Sequence, residues 1–218
     1  MDRNRAKEVQ RAVCETGRKM YDSGLVAGTW GNIAARIDKD YMVVTPSGMK
    51  YEILNPDDMV IMNMHTYERD PDSRKPSIEF YMHAQLLLEH PDMNAVVHTH
   101  STYALIMATA RKPIPPVCDD QVQILGGAIP VAEYAMPGTP EMGAAVAAAM
   151  KEGNGVLVPN HGAVTIGRNL DEALLAAVLL EKTAQVYIGT MAVGGPVELD
   201  PADIAAMRDY FLNKYGQR

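Results

Sequence analysis

The feature that most constrains this chain is Val96-Val97-His98-Thr99-His100, a hydrophobic run ending in two histidines one residue apart, with a third far downstream in Pro159-Asn160-His161-Gly162. Alternate side chains of an extended strand share a face, so His98 and His100 can turn toward one metal ion. An imidazole from His161 completes a facial set of nitrogen ligands and leaves room for substrate or water, as a catalytic metal site requires. The fold must then bring a strand end beside a distant glycine turn.

The 218 residues are 47% hydrophobic and show neither repeats nor Pro/Gly-rich linkers, which implies one domain over residues 1–218 with a substantial core. Lys and Arg number 20 against 27 Asp and Glu, and the net charge of −7 argues against general affinity for nucleic acid or an anionic membrane. A small soluble substrate fits better. The start Met1-Asp2-Arg3-Asn4-Arg5 leads into no apolar core, and no apolar run approaches the roughly 18 residues that would cross a bilayer. Cys14 and Cys118 fit reduced thiols better than a disulfide framework, so a cytoplasmic protein is expected. The 15 methionines are scattered through apolar stretches and read as core filling.

Helical spacing from Ala6 to Tyr21, closed by Ser23-Gly24, predicts an amphipathic first helix. Strands follow at residues 32–37, 41–45 and 58–64. Ser77 is placed to cap a helix over residues 78–89 that His90-Pro91 stops, ahead of a buried strand at 94–99. Thr139-Pro140-Glu141 opens an alanine-rich helix ending near Gly153, and strands at 156–159 and 163–166 flank His161. Asn169-Leu170-Asp171-Glu172 resembles a capping box for a helix to about Ile188, and Asp200-Pro201 starts a last helix ending near Lys214. The expected class is α/β, a mixed sheet covered by helices.

Glu79 and His83 lie four apart on a predicted helix and share a face. A carboxylate beside a divalent cation can ligate it at rest, then leave when substrate arrives and exchange a proton with a substrate carbon. Glu79 is the candidate acid/base, with His83 behind it. Imidazole ligands favour zinc, while manganese, cobalt, nickel and iron stay open. Gly28-Thr29-Trp30-Gly31-Asn32, Thr45-Pro46-Ser47-Gly48 and Lys75-Pro76-Ser77 carry backbone and hydroxyl donors suited to an anion. None matches a P-loop or a dinucleotide fingerprint.

Taken together and in this order, these motifs, with Tyr215-Gly216 near the end, resemble the class II aldolase/adducin head family over nearly the whole chain. The resemblance implies a three-layer α/β/α sandwich with a largely antiparallel central sheet, assembled as a homotetramer with active sites at subunit interfaces. It assigns His98, His100 and His161 to zinc, with Glu79 as a ligand at rest and as acid/base. Asn32, Ser47, Gly48 and Ser77 match positions around a substrate phosphate, and Tyr215 matches a tyrosine that reaches a neighbouring site. The implied reaction is reversible cleavage of a small ketose 1-phosphate, similar to L-fuculose 1-phosphate, into dihydroxyacetone phosphate and an aldehyde through a zinc-stabilised enediolate.

Two positions depart from the sugar-phosphate aldolases of this family. Ile78 follows Ser77 where they carry a second serine, and Asp119 stands where a tyrosine assists proton transfer on the aldehyde side. Asp119 is therefore a further catalytic candidate, and an epimerase, decarboxylase or dehydratase of a related sugar phosphate or sugar acid is the alternative. An adducin-like structural head is the non-enzymatic alternative, disfavoured because the three histidines and Glu79 are all present.

Overall fold

The computed structural model describes residues 1–217. Helix α1 (Arg3–Asp22) begins where the Asp2 carboxylate accepts from the Asn4 amide, and it turns Ala6, Val9, Val13 and Met20 inward. Strands β1 (Asn32–Arg36), β2 (Tyr41–Val44) and β3 (Val60–Asn63) form a meander. There follow α2 (Phe80–Glu89), β4 (Ala95–Thr99), α3 (Thr102–Ala110), α4 (Asp119–Leu125) and α5 (Pro140–Ala149). The hairpin of β5 (Gly155–Val158) and β6 (Gly162–Gly167) leads into α6 (Leu170–Thr190) and α7 (Pro201–Asn213).

All six strands join one sheet in the order β3-β2-β1-β4-β6-β5, and every ladder is antiparallel. The parallel part of the expected mixed sheet is confined to an isolated bridge between Val131 and Leu157 at the β5 edge. Alternation along each strand feeds two layers. Ala34, Met42, Val44, Val96 and Val164 face Met82, Leu86 and Leu87 of α2 and Val146 of α5. Ile33, Ala35, Val43, Ala95 and Val97 face α1 and the start of α6. A third cluster seats α3 and α4 beside α6 around Met107, Leu125, Leu157 and Leu180. The result is the α/β/α sandwich. Met42, Met62, Met64, Met82, Met142 and Met150 all fill the first cluster, as adaptable side chains in an irregular core do.

The register places the site. Asn32 pairs with His98 across β1 and β4, and Thr99 pairs with Ala163 across β4 and β6. The end of β4 thus lies between the start of β1 and the turn that joins β5 to β6. Gly162 makes this approach close: a Cβ there would sit 2.0 Å from the Thr99 carbonyl oxygen, a backbone atom that cannot rotate aside. Gly162→Ala is expected to cost about 1–3 kcal/mol through forced separation of β4 and β6. Urea unfolding would read the loss, and unchanged stability would refute the packing argument.

The start of α2 differs from the sequence expectation. The helix begins at Phe80, with Glu79 at its cap position rather than Ser77. Ser77 donates its backbone N–H to Thr45 O at 2.9 Å, Ser47 N–H reaches Lys75 O at 2.9 Å, and Pro46 bridges to Pro76. These bonds hold residues 75–77 extended, so winding starts only after Ser77, whose hydroxyl accepts from the Glu79 N–H at 3.3 Å.

Candidate active site

Three elements bring their ends to one point on the α2 face of the sheet. His98 is the next-to-last residue of β4 and is fully buried. His100 follows directly, and His161 sits in the turn between β5 and β6, where Asn160 takes a left-handed φ of 57° and the His161 N–H returns to Val158 O at 3.1 Å. His98 Nε2 lies 3.0 Å from His100 Nε2 and 3.3 Å from His161 Nε2. Glu79, at the cap of α2, places Oε2 3.3 Å from His98 Nε2 and Oε1 3.1 Å from His161 Nε2.

These spacings fit a metal ion. Four ligands held tetrahedrally at the usual zinc–nitrogen distance stand about 3.3–3.4 Å apart. The tautomers agree. His98 Nδ1 faces the Ala163 carbonyl at 3.0 Å, so it must carry the proton, and Nε2 presents a lone pair to the centre. Burial, reinforced by the neighbouring imidazoles, lowers His100 to about 3 and His161 to about 4, so both lone pairs are free at neutral pH. Burial alone would raise the Glu79 carboxyl, but His98, His161 and Asn32 outweigh it and hold the group ionised below its ordinary range. A buried carboxylate oxygen, Glu79 Oε1, with no hydrogen-bond donor and an imidazole nitrogen 3.1 Å away is completed by a cation. The three histidines form the metal-competent group found among the described residues.

Above this floor lies a cleft of about 660 Å³. Its walls bring together the three donor loops read from the sequence: Thr29, Trp30 and Asn32, then Ser47 and Gly48, then Ser77 with Glu79. His100 and His161 also line it, while His98 lies beneath. Ser47 and Gly48 are exposed, and Asn32 and Ser77 are buried at the base. Ile78 lines the wall with 61% of its surface exposed. Trp30 leans over His100 at a ring separation of 5.4 Å, and Leu105, Pro137 and Asn160 complete the lining. Leu105 and Pro137 carried no signal in the sequence and come from α3 and a loop that only packing brings near, whereas Asn160 stands in the motif of His161.

Two of the sequence candidates lie elsewhere in this chain. Asp119 is exposed in the first turn of α4, beside an Asp120 paired with Lys182. Tyr215 is 57% exposed after α7, with its ring 5.4 Å from Phe211. Neither lines the cleft.

Residues 11–188 match the model of the class II aldolase and adducin N-terminal domain. The chain belongs to this family. L-fuculose phosphate aldolase from Escherichia coli O6:H1 is 33% identical over 219 residues, covering 100% of this chain and 99% of that one. A 5-methylthioribulose-1-phosphate/5-deoxyribulose-1-phosphate aldolase from Rhodospirillum rubrum is 34% identical over 89% of this chain and 86% of its own. A solved L-fuculose 1-phosphate aldolase structure superposes with a TM-score of 0.89 at 31% identity, over 94% of this chain and 96% of that one. The class II aldolase fold and the three-histidine cluster therefore occur here together. No helix among the described residues is long and apolar enough to cross a membrane.

Proposed function

We propose that this chain is a zinc-dependent aldolase, a single-domain carbon–carbon lyase that reversibly cleaves a small ketose 1-phosphate into dihydroxyacetone phosphate and an aldehyde. The observation that carries the reading is the convergence of His98, His100, His161 and Glu79 beneath a cleft whose upper wall is built from three donor loops. The three imidazoles would hold the ion, with Glu79 as the fourth ligand at rest. A divalent ion there supplies Lewis acidity toward adjacent substrate oxygens. The Ser47 and Ser77 hydroxyls, the Gly48 amide and the free N–H of Asn32 suit a phosphate by donating to its oxygens.

In the addition direction, the Glu79 carboxylate takes a proton from C3 of dihydroxyacetone phosphate, and the electron pair left on C3 forms the bond to the aldehyde carbon. The aldehyde oxygen takes up a proton and becomes the new hydroxyl. Cleavage is the reverse: that hydroxyl loses its proton, the C3–C4 bond breaks, and Glu79 returns a proton to C3. We assign the proton on the aldehyde side to Tyr215 and Asp119 acting from a neighbouring subunit of a homotetramer. Their positions outside the cleft of their own chain, and an α7 with no buried residue, support an interface role. The same reading makes the enzyme cytoplasmic.

The test is to incubate zinc-loaded protein with a panel of ketose 1-phosphates and follow dihydroxyacetone phosphate by mass spectrometry, with Glu79→Gln as control. Release that disappears in the control is the expected result. Epimerised, decarboxylated or dehydrated products without release would replace the aldolase reading with the second reading, which Ile78 at the cleft wall favours.

A further inference from the structure

His83 is fully buried on α2 and does not itself line the cleft, yet it belongs to a chain of polar contacts that ends on Glu79. Asn32 donates through Nδ2 to Glu79 Oε2 at 2.7 Å, and its Oδ1 faces His83 Nε2. The direction of this chain is fixed by elementary valence. An ionised carboxylate only accepts, so the Asn32 atom facing it must be the amide nitrogen. The carboxamide oxygen then faces His83, and it too only accepts, so His83 Nε2 must carry the ring proton. The remaining nitrogen, Nδ1, is buried without a partner.

We propose that His83 is a positioning residue: as a neutral Nε2–H tautomer it locks the Asn32 carboxamide in one orientation, and Asn32 thereby holds Oε2 of Glu79 and leaves Oε1 as the oxygen that exchanges the proton. Without the His83 donor the Asn32 carboxamide loses one of the two contacts that fix it, and each turn that brings its oxygen toward Glu79 repels the carboxylate and steers it off the substrate carbon. The lock matters most when the carboxylate has left the metal ligands and has no other directional anchor, since Oε1 has no donor of its own. It also leaves the second Asn32 N–H for substrate, so one side chain serves both the carboxylate and the anion. The inference rests on the acid/base role proposed for Glu79.

Two measurements test it, one of them independent of turnover. In the full chain with histidine labelled by nitrogen-15, His83 is expected to show its ring proton on Nε2 and none on Nδ1, with the Nε2–H signal shifted in Asn32→Ala. A proton on Nδ1 overturns the inference. Kinetically, His83→Phe keeps ring volume and removes the donor, and is expected to lower kcat roughly 10–100-fold with zinc content unchanged and a smaller rise in KM, since Ser47, Gly48 and Ser77 still donate to the anion. His83→Gln restores an N–H near the same position and is expected to recover most of that loss. Wild-type turnover in His83→Phe, or loss of zinc from it, overturns the relay, as does failure of His83→Gln to recover. In a Glu79→Gln background the His83→Phe change is expected to add no further loss, whereas independent, additive losses refute action through Glu79. Full turnover by Glu79→Gln alone would instead refute the role of Glu79, leaving the tautomer result to stand by itself. Should His83→Phe not fold, the label experiment and His83→Gln decide.

Discussion

Glu79→Gln is expected to lower kcat for aldol cleavage roughly 10²–10⁴-fold, the range over which a positioned acid/base acts, while zinc remains bound. The exchange is nearly isosteric. A Gln carbonyl oxygen can still accept from Asn32 Nδ2, which now lies 2.7 Å from Oε2, so the polar chain to His83 is preserved. What is lost is the ability to take and return a proton. Three imidazoles whose nitrogens stand 3.0 and 3.3 Å apart keep the ion without a carboxylate. KM should move little, because the exchange leaves the Ser47, Gly48, Ser77 and Asn32 donors in place. Metal content by mass spectrometry, KM and kcat measured on one preparation separate these effects. Incorporation of solvent deuterium at C3 of dihydroxyacetone phosphate should fall in parallel with kcat. Undiminished exchange would remove Glu79 from the chemistry and leave it as a ligand alone.

Much of this site was legible in the sequence because its parts are local. His98 and His100 flank a strand end, His161 precedes a glycine, and Glu79 follows Pro76-Ser77-Ile78, so each of these residues carries its own turn or strand signature. The helices with strong caps were legible for the same reason: Asp200, Asn169 and Thr139 each accept from the backbone of the first turn. Helices α3 and α4 were not. The first turn of α3 is capped from another element, with the Glu181 carboxylate of α6 accepting from the Tyr103 and Ala104 amides at 2.9 and 2.8 Å. Helix α4 has only seven residues, and Gln121 ties its start to Val117 and Pro115 through contacts no period reveals. The partner of Asn32 was hidden in another way. Its place beside His98 depends on the β1–β4 register, which is set by two buried faces matching at once rather than by any pattern within residues 28–32. The start of α2 moved from Ser77 to Glu79 through the same kind of long-range bond, with Thr45.

His98→Ala should be the more severe change, since His98 is the imidazole that the other two and Glu79 approach. It is fully buried and oriented by the Ala163 carbonyl, so the site has no second group able to replace it. Loss of a Lewis acid worth several kcal/mol corresponds to three or more orders of magnitude in rate, at about 1.4 kcal/mol per decade. Chelation of the wild-type protein should reproduce that loss, and zinc should reverse it in the wild type but not in His98→Ala. Acid should act on the same centre in a defined window. Burial holds His100 at about 3 and His161 at about 4, whereas the unfolded chain protonates them near the ordinary 6.5. Between those values the unfolded state binds more protons, so the metal-free fold loses stability as pH drops from 6.5 toward 4, by up to about 1.4 kcal/mol per pH unit for each such group. Bound metal shifts the balance further toward the native state, because ligation and protonation compete for the same lone pairs. Thermal unfolding with and without zinc should therefore show both curves falling together between pH 6.5 and 4, with the gap between them closing only below about 4, where the native imidazoles take up protons. A gap that persists unchanged well below pH 3 would mean that the ion is held by other groups.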